Sequence, residues 1–385
     1  MRVFLIAGEA SGDRLGAALM AGLHTLAGSV EFDGIGGPLM QAEGLTSLFP
    51  MDELSVMGIA EVLPRYRHLL KRMHQTAKAA LASRADVMVT IDSPDFCLRV
   101  AREVKAAGGL RCVHYVAPSV WAWRPGRAAK MARAIDQVLA LLPFEPPFME
   151  AAGMRCDFVG HPVVAEPVAS PHEVAQVRAR HRVGDRPLLL ALPGSRRGEV
   201  SRLTPAFGEV VARMTRARPE LQVVVPAAGP VAGLVRDMTA QWRHPPVILD
   251  PNGIDPAAAL AEKRAAFGAA DVALAASGTV SLELAASGTP MVIAYDMNWI
   301  SWQIMSRMAL IDTVTLVNLV TDTRAVPEFL GPDFKPEAIA PALLALLDDA
   351  GAQHAAMALT MELLGRGQAE PGLRAARAVL EGLSG

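Results

Sequence analysis

Short apolar runs that stop at Gly, Ser, Asp or Pro alternate along this chain with longer stretches of helical period. RVFLIA (2–7), LLLAL (188–192) and VALAA (272–276) are of strand length. Alternation of this kind is the signature of a parallel sheet covered by helices. In the first half, strands are read at 2–7, 31–35, 86–91, 111–116, 136–142 and 156–160. Helices fall at 13–27, 64–82, 97–108, 125–134 and 145–152. HPVVAEPVASP (161–171) has three prolines and no period, as an interdomain linker does. After a helix at 172–181 the alternation restarts, with strands at 187–192, 222–226, 247–250, 271–276 and 290–295. Helices follow near 199–216, 256–267, 279–286 and 299–309, and from 336 an Ala/Leu-rich helical tail begins. The division expected is 1–165, 172–365 and a last helix, 366–385, free to cross back to the first domain.

The composition agrees. With 385 residues the chain has room for two cores. Hydrophobic residues make up 51% and the formal net charge is −2, which excludes a disordered chain and disfavours a nucleic-acid binder. Cys97, Cys112 and Cys156 form no C-x-x-C pair, so a reducing cytoplasm is expected. No apolar run approaches the roughly 20 residues of a membrane span, and the N-terminus has no signal-peptide pattern. A soluble protein able to touch a membrane surface is expected. No repeat of 20–50 residues is visible, which removes solenoids and propellers.

Open parallel sheets bind ligands beyond the carboxyl ends of their strands, so two facing sheets would leave a cleft between domains. The strand-exit loops are where chemistry is expected. Gly8-Glu9-Ala10-Ser11-Gly12-Asp13 is neither G-x-G-x-x-G nor a P-loop. It is an anion-binding turn, or a plain turn with Ser11 or Asp13 as helix cap. Gly34-Ile35-Gly36-Gly37-Pro38 is a second glycine-rich exit. In IDSPDF (91–96), Asp92 emerges from a buried strand where a carboxylate can accept a proton from a bound hydroxyl, or serve the turn. Asp95 is read as the cap of the next helix. There is no Asp-x-Asp and no close histidine spacing, so no metal is expected. Trp121 and Trp123 either line an acyl or sugar pocket or plug the core.

In the second half, LPGSRRGE (192–199) follows a strand and opens a helix, with Arg196 and Arg197 offering forked donors to phosphate. Ser277, Gly278 and Thr279 repeat this arrangement, and Glu283 lies where a carboxylate can accept from ribose hydroxyls. Two such exits in one domain favour a nucleotide diphosphate.

GEASGD, VMGIAEVL (56–63), IDSPDF, HYVAPSVWAWR (114–124), LPFE (142–145), GHP (160–162), LPGSR and SGTVSLE (277–283) occur in this order. Together they resemble the lipid-A-disaccharide synthase family over residues 1 to about 330. The resemblance implies a GT-B fold of two Rossmann-like domains, with the donor nucleotide in the C-terminal one. It implies inverting transfer of 2,3-diacylglucosamine from its UDP derivative to 2,3-diacylglucosamine 1-phosphate. The products would be a β-1',6-linked lipid A disaccharide 1-phosphate and UDP, made without a cofactor or metal. This is a step of lipopolysaccharide synthesis in Gram-negative bacteria, at the inner face of the inner membrane. By motif position Asp92 is implied as the general base toward the acceptor 6-hydroxyl, with Glu9 and Ser11 in the first functional loop. Arg196 is implied at the UDP moiety, Ser277, Gly278, Thr279 and Glu283 at diphosphate and ribose, and Asn318 at the donor site. One departure is Gly331, which stands after VPEFL where Gln is usual. The family also implies homodimers with exchanged C-terminal segments, which leaves the oligomeric state open.

Residues 62–85 hold Arg65, Arg67, Lys71, Arg72, Lys78 and Arg84, and residues 104–134 six further bases, without one acid. Apolar residues interleave at helical spacing in the first stretch. It reads either as a basic amphipathic helix on an anionic membrane or as a helix packed on its sheet with a solvated basic face. The competing functions are another UDP-sugar enzyme of this fold, such as a UDP-N-acetylglucosamine 2-epimerase, and a noncatalytic binding protein.

Overall fold

The structure, a computed structural model, describes residues 1–54 and 59–384, and the side chains outside 59–65. The chain divides into two compact units, Met1–Ala165 with Leu364–Gly385, and Glu166–Leu363.

In the first unit the strands are β1 (Arg2–Ala7), β2 (Glu31–Ile35), β3 (Thr46–Ser47), β4 (Val87–Ile91), β5 (Arg111–Tyr115), β6 (Gln137–Ala140) and β7 (Arg155–Phe158). They form one parallel sheet in the order β3-β2-β1-β4-β5-β6-β7. The residues of β4 are all buried, as a strand covered by helices on both faces must be. The helices are α1 (Ala10–Ala27), α2 (Pro38–Ala42), α3 (Ile59–Ala82), α4 (Pro94–Gly108), α5 (Gly126–Met131) and α6 (Pro146–Glu150).

The second unit opens with α7 (Pro171–Arg180), entered through a capping box between Ser170 and Glu173. Its strands are β8 (Leu188–Leu192), β9 (Gln222–Pro226), β10 (Val247–Leu249), β11 (Val272–Ala275), β12 (Met291–Tyr295) and β13 (Glu328–Leu330). Their order is β10-β9-β8-β11-β12-β13, again all parallel. The helices are α8 (Arg197–Ala217), α9 (Ala232–Thr239), α10 (Pro256–Ala269), α11 (Val280–Ser287) and α12 (Trp299–Met308). After these come α13 (Leu316–Thr321), α14 (Pro336–Asp348) and α15 (Gly351–Leu363).

The last helix, α16 (Pro371–Ser384), belongs to the first unit, packed along α1. Gln137, fully buried on β6, donates from Nε2 to Ala378 O at 2.8 Å, and Arg374 donates to Phe158 O at 3.0 Å.

Several boundaries differ from the sequence reading. β3 and β13 have two and three residues, too few to show a period, and each is drafted by a neighbour already in place. α1 starts at Ala10 with Glu9 as N-cap, so Ser11 lies within its first turn. Asp13 is buried and caps a different helix: its carboxylate accepts from the N–H groups of Gly37, Leu39 and Met40 at 2.9–3.0 Å, closing α2. Asp95 lies inside the first turn of α4, whose N-cap is Ser93. Pro94 at the first helical position, with its fixed φ and no N–H to satisfy, moves the start forward.

Both sheets change direction once, between β1 and β4 and between β8 and β11. At such a switch two neighbouring exit loops part to opposite faces and leave a crevice at the carboxyl ends. Among the described residues no helix is long and apolar enough to cross a membrane.

Candidate functional site

In the first unit the switch brings together two of the loops singled out in the sequence. A Cβ on Gly8 would lie 2.6 Å from Ser93 Oγ and 3.1 Å from its Cβ, so glycine lets the β1 exit pass the β4 exit without displacing Ser93. Asp92 and Ser93 both adopt left-handed backbone, with φ of 50° and 43°. Such residues cost on the order of 1 kcal/mol or more each and concentrate where a side chain must be aimed. The Asp92 N–H remains tied to Tyr115 O at 3.0 Å, which holds the half-buried carboxylate at the lip of the sheet. Glu9 is half-buried and Ser11 exposed, one helical turn from Gly8. The β5 exit is strained as well, because Val116 has a φ of 84°.

The tryptophans of that exit have separate duties. Trp121 donates from Nε1 to Glu145 at 3.2 Å and meets Phe144 edge-on, with ring centroids 5.0 Å apart. It therefore joins the 114–124 loop to the LPFE turn. Glu145 also accepts from the N–H groups of Leu141 and Leu142, and burial pushes its carboxyl up to about 7. Trp123 lies under the Arg124 guanidinium, 4.2 Å from the ring centroid. His114 is buried against Thr90 Oγ1 at 2.8 Å, and burial lowers it to about 4, so it stays neutral and structural.

In the second unit a cavity of about 840 Å³ lies at the switch between β8 and β11. Its size suits a nucleotide. Arg196, Ser277, Gly278, Thr279 and Glu283 all line it. The exposed N-terminus of α11 presents Gly278 and Thr279, with Gly278 at φ 144°. Arg196 is the N-cap of α8. Its neighbour Glu199 reaches back, accepting from the N–H groups of Ser195 and Arg196 at 3.2 and 3.3 Å and pairing with the Arg196 guanidinium at 3.3 Å. The α8 N-terminus is thus already filled by a carboxylate of the chain, while the α11 N-terminus stays exposed on the cavity wall.

Asn318 is not on this wall. It is buried, with Nδ2 donating to Thr313 Oγ1 and Val326 O and Oδ1 accepting from the Val326 N–H. These bonds hold the approach to β13. Two wall residues went unread. Lys263 pairs with Glu283 at 2.5 Å from twenty residues away, beyond any local pattern. Glu199 stands three residues after Arg196, a helix-cap spacing visible in the sequence.

The chain as a whole matches a protein-family model described as lipid-A-disaccharide synthetase, over residues 3–379. It belongs to the lipid-A-disaccharide synthase family. A lipid-A-disaccharide synthase from Ruegeria pomeroyi is 64% identical over 385 residues, covering 100% of this chain and 96% of the relative. Among solved structures, a UDP-N-acetylglucosamine 2-epimerase of Listeria monocytogenes, described as putative, superposes with a TM-score of 0.66 at 14% identity. It covers 100% of this chain and 95% of that one. MurG of Acinetobacter baumannii gives 0.54 at 15%, covering 100% and 99%. At such identities the likeness is one of fold, and the fold is GT-B. The family makes the chain a glycosyltransferase, and the epimerase alternative is not favoured.

The basic stretch of this glycosyltransferase divides on folding. The side chains of Arg65 and of VMGIAEVL (56–63), and residues 56–58 altogether, lie outside the described part of the structure. Arg67 and Lys71 are exposed on α3. The charge of Arg72 is already paired: it holds Glu53 through two bonds of 2.7 and 2.8 Å and covers the Phe49 ring at 4.4 Å. The stretch contains no acid, but the tertiary structure brings one from nine residues before it.

Proposed function

We propose that this chain transfers 2,3-diacylglucosamine from UDP-2,3-diacylglucosamine to the 6-hydroxyl of 2,3-diacylglucosamine 1-phosphate. It does so with inversion and without a metal, at the cytoplasmic surface of an anionic membrane. The observation that carries this reading is the second-unit cavity. Arg196, the N-terminus of α11 and Glu283 line one cavity, and their chemistry suits a diphosphate and a ribose. Family membership supports the sugar chemistry.

In the reaction the acceptor 6-oxygen attacks the donor's anomeric carbon from the face opposite the UDP oxygen. The new C–O bond forms as the bond to UDP breaks, UDP leaves with the electron pair, and the hydroxyl proton passes to the Asp92 carboxylate. Glu9 and Ser11 serve the same loop cluster, and Trp121 and Trp123 border the acceptor side. Arg196 and the α11 amides stabilise the charge that builds on the departing diphosphate, the role a cation fills elsewhere. Arg67 and Lys71 hold α3 to anionic headgroups at about 1 kcal/mol each.

The test is an assay with the two proposed substrates, with the product identified by mass. Asp92→Asn should lower kcat by about a thousandfold and leave UDP binding unchanged, because a base acts only in the chemical step. Near-normal turnover in that variant removes Asp92 from the mechanism. Activity should survive EDTA, and loss that a divalent ion restores overturns the metal-free reading.

A further inference from the structure

Among the described residues, helix α12 carries a large apolar face that stays exposed. None of its residues is fully buried, and Trp299, Ile300 and Ile304 are 73%, 65% and 52% exposed, with Leu310 just beyond at 61%. A helix of a globular unit normally turns its apolar residues to the core, and a contiguous exposed apolar patch marks a contact surface. The helix is nevertheless well anchored. Asn298 Oδ1 caps it by accepting from the Ser301 N–H at 2.8 Å, and the Trp302 ring covers Gly331 on its inner side.

The charge around this face selects the occupant. Residues 297–311 contain no acid and one base, the exposed Arg307. The acids that bracket them are both ion-paired, Asp296 to Arg202 at 2.7 Å and Asp312 to Arg324 at 2.5 Å. What faces outward is apolar, tryptophan-bearing and free of uncompensated negative charge, which fits an anionic phospholipid interface. Ten residues are too few to span a bilayer, so the helix would lie in the headgroup plane.

We propose that α12 is a membrane-contacting helix of the nucleotide-binding unit, with Trp299, Ile300 and Ile304 entering the headgroup–acyl boundary. This contact is separate from the basic face of α3 and works through apolar burial, so salt does not dissolve it.

The test uses the full chain and vesicles of phosphatidylglycerol and phosphatidylethanolamine, with binding read by sedimentation. Trp299→Ser/Ile300→Ser/Ile304→Ser should lower partitioning by about a hundredfold, and the loss should persist near 0.5 M salt. Arg67→Gln/Lys71→Gln should lower binding only at low salt, so failure of one surface is distinguishable from failure of the other. Brominated lipids should quench tryptophan emission in the unaltered chain and quench it less in Trp299→Phe, a readout that does not depend on the triple variant folding. Equal vesicle binding by the triple variant and its parent overturns the proposal. So does a variant that keeps vesicle binding while sedimentation equilibrium shows an oligomer falling apart, since the face would then meet a second copy.

Discussion

The Lys263 ammonium lies 2.5 Å from Glu283 Oε2, joining α10 to α11 across one wall of the second-unit cavity. The same ammonium sits 5.1 Å from the Phe267 ring centroid. In the proposed function Glu283 accepts from ribose hydroxyls, which needs one defined rotamer, and the pair with Lys263 favours one. Lys263→Met should raise KM for the UDP-sugar by about tenfold and leave kcat within about twofold, since one part-buried charged hydrogen bond is worth roughly 1.4 kcal/mol. Lys263→Arg should restore most of the loss. Steady-state kinetics with donor varied checks both, and an equal fall in kcat would place Lys263 in the chemical step instead.

Gly331 occupies a position where a side chain would meet both strain and a clash. Its φ is 54°, and a Cβ there would lie 2.5 Å from the Trp302 ring. Gly331→Gln should destabilise the unit by about 3 kcal/mol, combining left-handed strain with overpacking. In Gly331→Gln/Trp302→Ala the steric part is relieved and the strain stays. The double variant should be more stable than the sum of the singles by about 1 kcal/mol or more in urea titrations. Additive losses would show that the ring and the Cβ do not collide.

Glu145 makes stability depend on pH in the direction opposite to most carboxylates. Burial raises its folded pKa from 4.5 to about 7. The folded state then holds a proton that the unfolded chain has released. The contribution is complete below the unfolded value, falls as pH rises, and is gone above about 7. Glu145→Gln should flatten this slope, gaining up to about 3 kcal/mol relative to the parent at pH 8 and little at pH 4. Denaturant titrations at the two pH values measure it, and parallel curves would show that the carboxyl is not desolvated.

Asp13 offers a graded test of the α2 cap. Oδ1 accepts from Gly37 and Met40, and Oδ2 from Leu39. Asp13→Asn retains two of the three bonds and should cost about 1 kcal/mol, whereas Asp13→Ala strands all three donors and should cost about 3 kcal/mol. Thermal unfolding ranks the variants. Equal losses would mean that the amide cannot replace Oδ1.

Much of the candidate site was legible in the sequence. A carboxylate at a buried strand's end, as at Asp92, and glycine beside a hydroxyl at a helix start, as at Ser277–Thr279, are local patterns that survive folding. Lys263 and Glu53 were not legible, because the partners they find are brought by other elements. The bonds of the Asn318 amide to Thr313 and Val326 were not legible either, because they depend on how the loop before β13 folds back. Arg72 was read as a surface cation until Glu53 and Phe49 claimed it.

By itself the chain determined its class. Apolar runs of five or six residues ending at small polar residues, separated by helical stretches, have few solutions other than two parallel sheets, because each run must be covered on both faces. Tertiary structure alone decided which loops meet and which charges remain free. The passage of Gly8 beside Ser93, the return of α16 to the first unit and the outward face of α12 depend on contacts between residues far apart in sequence. No local propensity encodes such contacts, and only packing selects among them.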